Sequence, residues 1–202
     1  MTFRPGQAIR RCCRDETGVT AIEFALLAPV LVTMLVGLVD FGLQIYTRSV
    51  LHGAVQTAGR DSALEPGGPT AAEMDQAVID TVHNVMPSAT VTFARSNYEN
   101  YSDIAQPEIF TDSDDDGQCN NGEPFEDMNG NGFWDADMGR TGRGGASDAV
   151  LYEARVSYDR LLPLHRIISA IPENVTVETS TVLRNQPYDQ QERREPTQGF
   201  CP

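Results

Sequence analysis

A chain of 202 residues with a formal net charge of −14 has room for one globular domain and an anchor, and hardly for two full domains. Every basic residue is arginine. Beyond residue 18, 11 basic side chains stand against 27 acidic ones, a balance that repels phosphate backbones and argues against nucleic acid as a partner. Cations and basic protein surfaces suit it better.

Residues 1–18 form a basic leader in which Arg4, Arg10, Arg11 and Arg14 outweigh Asp15 and Glu16. From Phe24 to Val39 sixteen consecutive residues carry no charge, and after Asp40 the apolar character continues to Tyr46. A bilayer core needs about 20 helical residues, so Ile22–Tyr46 can span it with some tilt. A buried core helix is the alternative, but no other segment offers a partner core of matching size. The upstream arginines orient the N-terminus toward the cytoplasm. Pro29 is tolerable in a membrane helix, where neighbouring groups satisfy the freed carbonyl. Asp40 reads as a terminal solvated acid at the far interface. A secretory signal peptide competes for residues 1–45, but its apolar core would be only about 7–15 residues and would end at a small-residue cut site. Here the run passes into an amphipathic stretch, SVLHGAVQTAGRDSAL, which predicts one helix over Thr20–Leu64, roughly 65–70 Å long. Such a half-embedded helix suits lateral packing of subunits.

The stretch RDETGVTAIEFALLAPVLVTMLVGLVDFGLQIYTRSVLHGAVQTAGRDSAL, beginning at Arg14, resembles the TadE-like pseudopilins of tight-adherence pilus systems, with a weaker echo in YDRLLPLHRII and LRNQPY. The resemblance implies a structural subunit of a bacterial inner membrane, crossing it once, with its C-terminal domain in the periplasm or in a surface pilus. Its implied partners are other pilins, pilus assembly proteins and the lipid bilayer. It also implies cleavage by a prepilin peptidase, with Gly18 before the cut, Val19 as the new N-terminus and Glu23 at the fifth place; Phe24 stands where the related small pilins favour tyrosine. Glu23 has a physical reason of its own. A carboxylate near an apolar boundary is costly unless paired, and the α-amino group of an adjacent subunit would pair it and set the stagger between helices. An interfacial glutamate reaching the headgroups is the other reading.

After the Pro66–Pro69 break, Thr70 and Glu73 form a capping box. Met74, Val78, Ile79, Val82 and Val85 then recur at helical spacing to about Met86. Thr90–Arg95, Ala149–Tyr158 and Val175–Leu183 alternate as strands, so the exported domain, residues 65–186, reads as α+β with a sheet of three or four antiparallel strands. Between the last two strands, LLPLHRIISAIP suits a short helix or a membrane-skimming loop. The tail, 187–202, is polar and reads as extended.

An acidic insertion occupies residues 111–148. Residues 112–137 hold nine acids and no base. Asp112, Asp114, Asp116, Gly117 and Glu123 satisfy every specified place of the calcium-loop pattern D-x-[DN]-x-[DN]-G-x5-E. Asp127, Asn129, Asn131 and Gly132 repeat its first half fifteen residues later. Asp135 takes the ninth place there, while Met138 stands where the closing carboxylate belongs. Alternate oxygens on a tight loop converge on one hard cation, and glycine permits the bend at the sixth place. A solvated acidic loop is the competing reading. Pro107 and Pro124 argue against flanking helices, so these resemble the calcium loops of extracellular repeats more than paired EF-hands. The second loop would borrow water, a backbone carbonyl or Asp137 to close.

Cys12 and Cys13 precede the apolar run, whereas Cys119 and Cys201 follow it and most simply form one disulfide. His52, His83 and His165 have no carboxylate or second histidine at ligand spacing, and no nucleophile elbow, nucleotide loop or zinc signature occurs. Phe133 and Trp134 read as covering the second loop or packing on the sheet. Three functions remain: a minor pseudopilin or assembly subunit, a membrane-tethered calcium-dependent adhesive or binding module, and, least favoured, an anchored enzyme.

Overall fold

The computed structural model describes residues 17–62, 70–162, 164–186 and 194–202. The leader arginines with Cys12 and Cys13 lie outside these residues, as does part of the tail.

Helix α1, Thr17–Ser62, runs for 46 residues, about 69 Å at 1.5 Å per residue, close to the predicted span. It continues unbroken past Pro29, and the Thr33 hydroxyl donates to the Pro29 carbonyl at 2.8 Å. Helix α2, Ala71–His83, begins at the expected capping box. The Thr70 hydroxyl accepts from the Glu73 N–H at 3.3 Å, and the Glu73 carboxylate accepts from the Thr70 N–H at 2.7 Å. The Thr70 N–H and then the Thr70 hydroxyl, which donates at 2.9 Å, hold the Glu73 carboxyl below the ordinary range. Met74, Val78 and Val82 form its buried stripe. The helix stops three residues short of the predicted end because Val85 and Met86 turn back in tight bonds to the Val82 carbonyl, 3.0 and 2.8 Å.

Strands β1 (Thr90–Tyr98), β2 (Pro124–Asp127), β3 (Arg140–Thr141), β4 (Ala149–Asp159), β5 (Asn174–Arg184) and β6 (Thr197–Phe200) make two sheets, with a short helix α3 (Leu164–Ile167) between β4 and β5. The larger sheet is four-stranded in the order β3-β1-β4-β5, antiparallel throughout, and the smaller pairs β2 with β6. The class is α+β. On β4, Val150, Tyr152, Ala154, Val156 and Tyr158 are all buried, as an alternating strand with one covered face requires.

Two compact units emerge. One combines the α1 residues up to Leu43 with Arg160–Glu173; the other holds Gln44–Asp159 and Asn174–Pro202. In the second unit, Leu51, Val55 and Ala58 of α1 are buried. A Cβ on Gly59 would lie 2.6 Å from a Leu183 methyl, so the small residue there lets helix and β5 approach. Asp75 of α2 accepts from the Tyr152 hydroxyl at 2.8 Å and pairs with Arg95, whose guanidinium lies 4.6 Å from the Tyr152 ring centre. Phe93 stacks on the same ring at 5.8 Å. This knot ties α2 to the sheet.

The tail is more than an extended strap. Arg194 donates to Asp148 and to the Asn97 side chain, both at 2.5 Å, and the chain then forms β6.

Candidate functional site

Two features carry chemistry: the exposed N-terminal part of α1 and the acidic loops beside β2.

Within the first unit, α1 presents Ile22, Phe24, Leu26, Leu27, Val30 and Met34 to the outside, Met34 with 74% of its surface exposed. No other described helix is long and apolar enough to cross a membrane. Val19 and Glu23 are exposed on the same stretch. Asp40 differs from the expected solvated acid: it is 6% exposed and ion-paired with Arg160.

The acidic residues form two loops with one backbone path. Asp115 and Gly117 (φ 57° and 74°) occupy the fourth and sixth places of the first loop, and Gly130 and Gly132 (φ 79° and 82°) occupy them in the second. The bonds repeat as well. Asp112 accepts from the Asp116 and Gly117 N–H groups at 3.2 and 2.9 Å; Asp127 accepts from Asn131 and Gly132 at 3.3 and 2.8 Å. Asp116 accepts from the Gln118 N–H at 2.7 Å, as Asn131 does from Phe133 at 2.7 Å. Carboxylate oxygens of Asp112, Asp114 and Asp116 lie within 4.8 Å of one another. In the second loop the amides of Asn129 and Asn131 both donate to Asp135, at 2.7 and 2.6 Å. The Asn120 side-chain oxygen, at the ninth place of the first loop, is a buried acceptor with no hydrogen-bond partner among the described residues.

Glu123 closes the first loop, accepting from the Ser113 N–H at 2.5 Å and the Asn120 N–H at 3.4 Å, the second and ninth places. In the second loop the corresponding N–H groups, Met128 and Asp135, donate to Glu108 at 2.9 and 3.1 Å. The sequence reading missed this residue. Glu108 is 1% exposed. An antiparallel bridge between Phe110 and Phe125 places position 108 opposite 127 and 112 opposite 123. The same ribbon thus bears an aspartate–glutamate pair at each end. Asp137, one of the groups expected to close the second loop, instead accepts from the Tyr98 hydroxyl at 2.9 Å. That bond and, above all, burial push the Tyr98 hydroxyl up to about 12.

The disulfide Cys119–Cys201 joins the first loop to the residue after β6, across a Cα separation of 5.3 Å. The Trp134 indole N–H donates to the Glu108 carbonyl at 2.8 Å and its ring meets Phe110 edge-on. Phe133, expected to cover the loop, is 74% exposed, because a turn residue between Asn131 and Trp134 points outward. His52 bonds Thr179 at 3.0 Å and His83 the Ala89 carbonyl at 2.9 Å, while His165 lies 3.9 Å from the Glu173 carboxylate.

One long helix with an outward-facing apolar stretch, joined to an α+β domain, is the layout of a single-pass membrane protein. The family described as TadE-like protein matches residues 18–60, nearly all of α1. No curated protein and no solved structure matches the chain.

Proposed function

We propose that the chain is a minor pseudopilin or membrane-anchored assembly subunit of a tight-adherence pilus, acting through α1. The observation that supports it is the coincidence of the TadE-like match, residues 18–60, with a helix whose first half is apolar and outward-facing and whose second half is built into the domain core. Such a helix holds a domain at a membrane and offers its apolar length to neighbouring helices. In this reading the N-terminus is cytoplasmic and the domain lies in the periplasm or on a pilus. A prepilin peptidase cuts between Gly18 and Val19, and Glu23 pairs with the new amino group of a neighbouring subunit. Photo-crosslinkers at Leu27 and Leu31 in cells should capture other pilus subunits, and the mature mass should begin at Val19. Retained Met1 in cells with an active peptidase removes the processing step; absence of any crosslinked pilus subunit removes the assembly role.

A second reading, a calcium-dependent module on the same anchor, rests on the paired loops. Asp112, Asp114, Asp116 and Glu123 would supply hard oxygen ligands to a first calcium, joined by the orphan Asn120 oxygen. A buried acceptor without a donor costs about 1–3 kcal/mol, and a cation would satisfy it. Asp127, Asn129, Asn131 and Asp135 would hold a second ion, with Glu108 as its closing carboxylate. Calorimetry with calcium tests this; no heat at millimolar calcium, the range of extracellular modules, leaves an acidic loop that organises itself by hydrogen bonds.

A further inference from the structure

Residues 160–173 belong to the same compact unit as the apolar part of α1, although 120 residues separate Asp40 from Arg160. The segment is clasped at its own base. The Arg160 N–H donates to the Glu173 carbonyl at 3.0 Å, and its guanidinium Nε donates to the Pro172 carbonyl at 2.8 Å. The rest of that guanidinium pairs with Asp40 of α1, and both side chains are about nine-tenths buried. Asp40 follows directly on the uncharged run that ends at Val39. From Val19 to Val39 a helix extends roughly 30 Å, the thickness of a bilayer core. The ion pair therefore fixes the clasped segment to α1 at the end of its uncharged run.

Its outer surface suits that level. Leu161 and Ile168 are 62% and 40% exposed, although Leu164 beside them is fully buried, so the segment had an interior available and still turned two large aliphatic side chains out. Arg166 between them is exposed. Aliphatic side chains reaching the acyl boundary, with an arginine at headgroup height, are the composition of a membrane-interface element. A carboxylate beside hydrocarbon is costly without a counter-ion, and Arg160 supplies one from within the same clasp.

We propose that residues 160–173 form a membrane-resting foot, in which Leu161 and Ile168 enter the lipid interface next to α1 and the Asp40–Arg160 pair sets how deep the chain sits. The occupant of this surface is lipid, by continuity with the apolar stretch of α1. The proposal rests on α1 being the membrane anchor.

The test uses the full chain, reconstituted in phosphatidylcholine–phosphatidylglycerol vesicles. Trp134 is the only tryptophan, so a Trp134→Phe background accepts single reporters at Leu161, Ile168 or Leu31. Lipids brominated high on the acyl chain should quench Leu161→Trp and Ile168→Trp several-fold more than they quench Trp134 in the parent chain. Lipids brominated deep in the chain should quench Leu31→Trp most. Adding Arg160→Gln should release the foot, lowering quenching at 161 and 168 while leaving position 31 unchanged. If Leu31→Trp is quenched while 161 and 168 behave like Trp134, the foot is wrong and the anchor stands. If Leu31→Trp itself escapes quenching, the anchor reading falls and takes the foot with it.

Discussion

The two acidic loops share a backbone path but not a way of closing it. The first, Asp112–Glu123, is self-contained: three aspartates converge and Glu123, eleven residues on, receives the N–H groups of the second and ninth places. The second takes the same bonds from Glu108, a residue that precedes both loops. Where the first loop gathers carboxylates, the second puts amides at its third and fifth places and satisfies Asp135 with them. The difference teaches that a loop's closing acid need not lie in the loop. A two-strand ribbon can deliver one from the other side, and the amide-rich loop achieves internally, by hydrogen bonds, some of the neutralisation that the acid-rich loop would draw from a cation.

The largest way to break this comparison is through the disulfide, which tethers only the first loop. Replacing Cys119 and Cys201 by alanine, across a sequence separation of 82, should cost about 4.5 kcal/mol of stability by the chain-entropy argument. Urea unfolding of the chain in micelles measures it, and exchange protection should fall in the first loop and β6 before it falls in the second loop.

Calcium comes next. Binding to the folded state alone stabilises by roughly 2.7 kcal/mol at a hundredfold excess over Kd. Melting should rise in calcium over chelator, and Asp112→Ala should remove more of that gain than Asn129→Ala, because the first loop has more anionic ligands. Equal loss from both variants would mean that the loops bind as one site.

Glu108→Gln separates architecture from charge. Burial and backbone donors around this carboxylate put the cost at about 2 kcal/mol without calcium, and it should abolish the weaker of two calcium heats while sparing the stronger. Glu123→Gln should do the reverse. If Glu108→Gln leaves both heats unchanged, its role is confined to holding the ribbon.

The smallest effect concerns Tyr98, which bonds Asp137 just past the second loop. Tyr98→Phe should cost about 1 kcal/mol near neutral pH. Its folded value of about 12 exceeds the ordinary 10, so the unfolded chain releases this proton first. The contribution is complete below pH 10 and disappears as pH rises toward 12. Denaturation followed through that window should show a shallower alkaline decline in Tyr98→Phe, with the remainder carried by Tyr152, which burial and Asp75 raise in the same direction.

Local pattern sufficed for α1, α2 and the three long strands. Uncharged runs, a capping box and alternation are each encoded within a short stretch of contiguous chain, and burial of one face follows from them. The resemblance to the TadE-like family was legible for the same reason, since the match lies within the helix. The ligand-type residues of the first loop were readable because their spacing is internal to the loop.

Tertiary structure alone decided what depends on distant partners. Strand β6 arises from a polar tail because β2 offers an open edge and Cys201 is covalently held beside it. Glu108 gives no local sign of its role; only the Phe110–Phe125 bridge sets it opposite Asp127. Asp40 looked like a solvated terminal acid until the fold brought Arg160 to it. Periodicity reports which face a residue takes on its own element, whereas a charge's partner is chosen by where the chain returns, and no spacing records that.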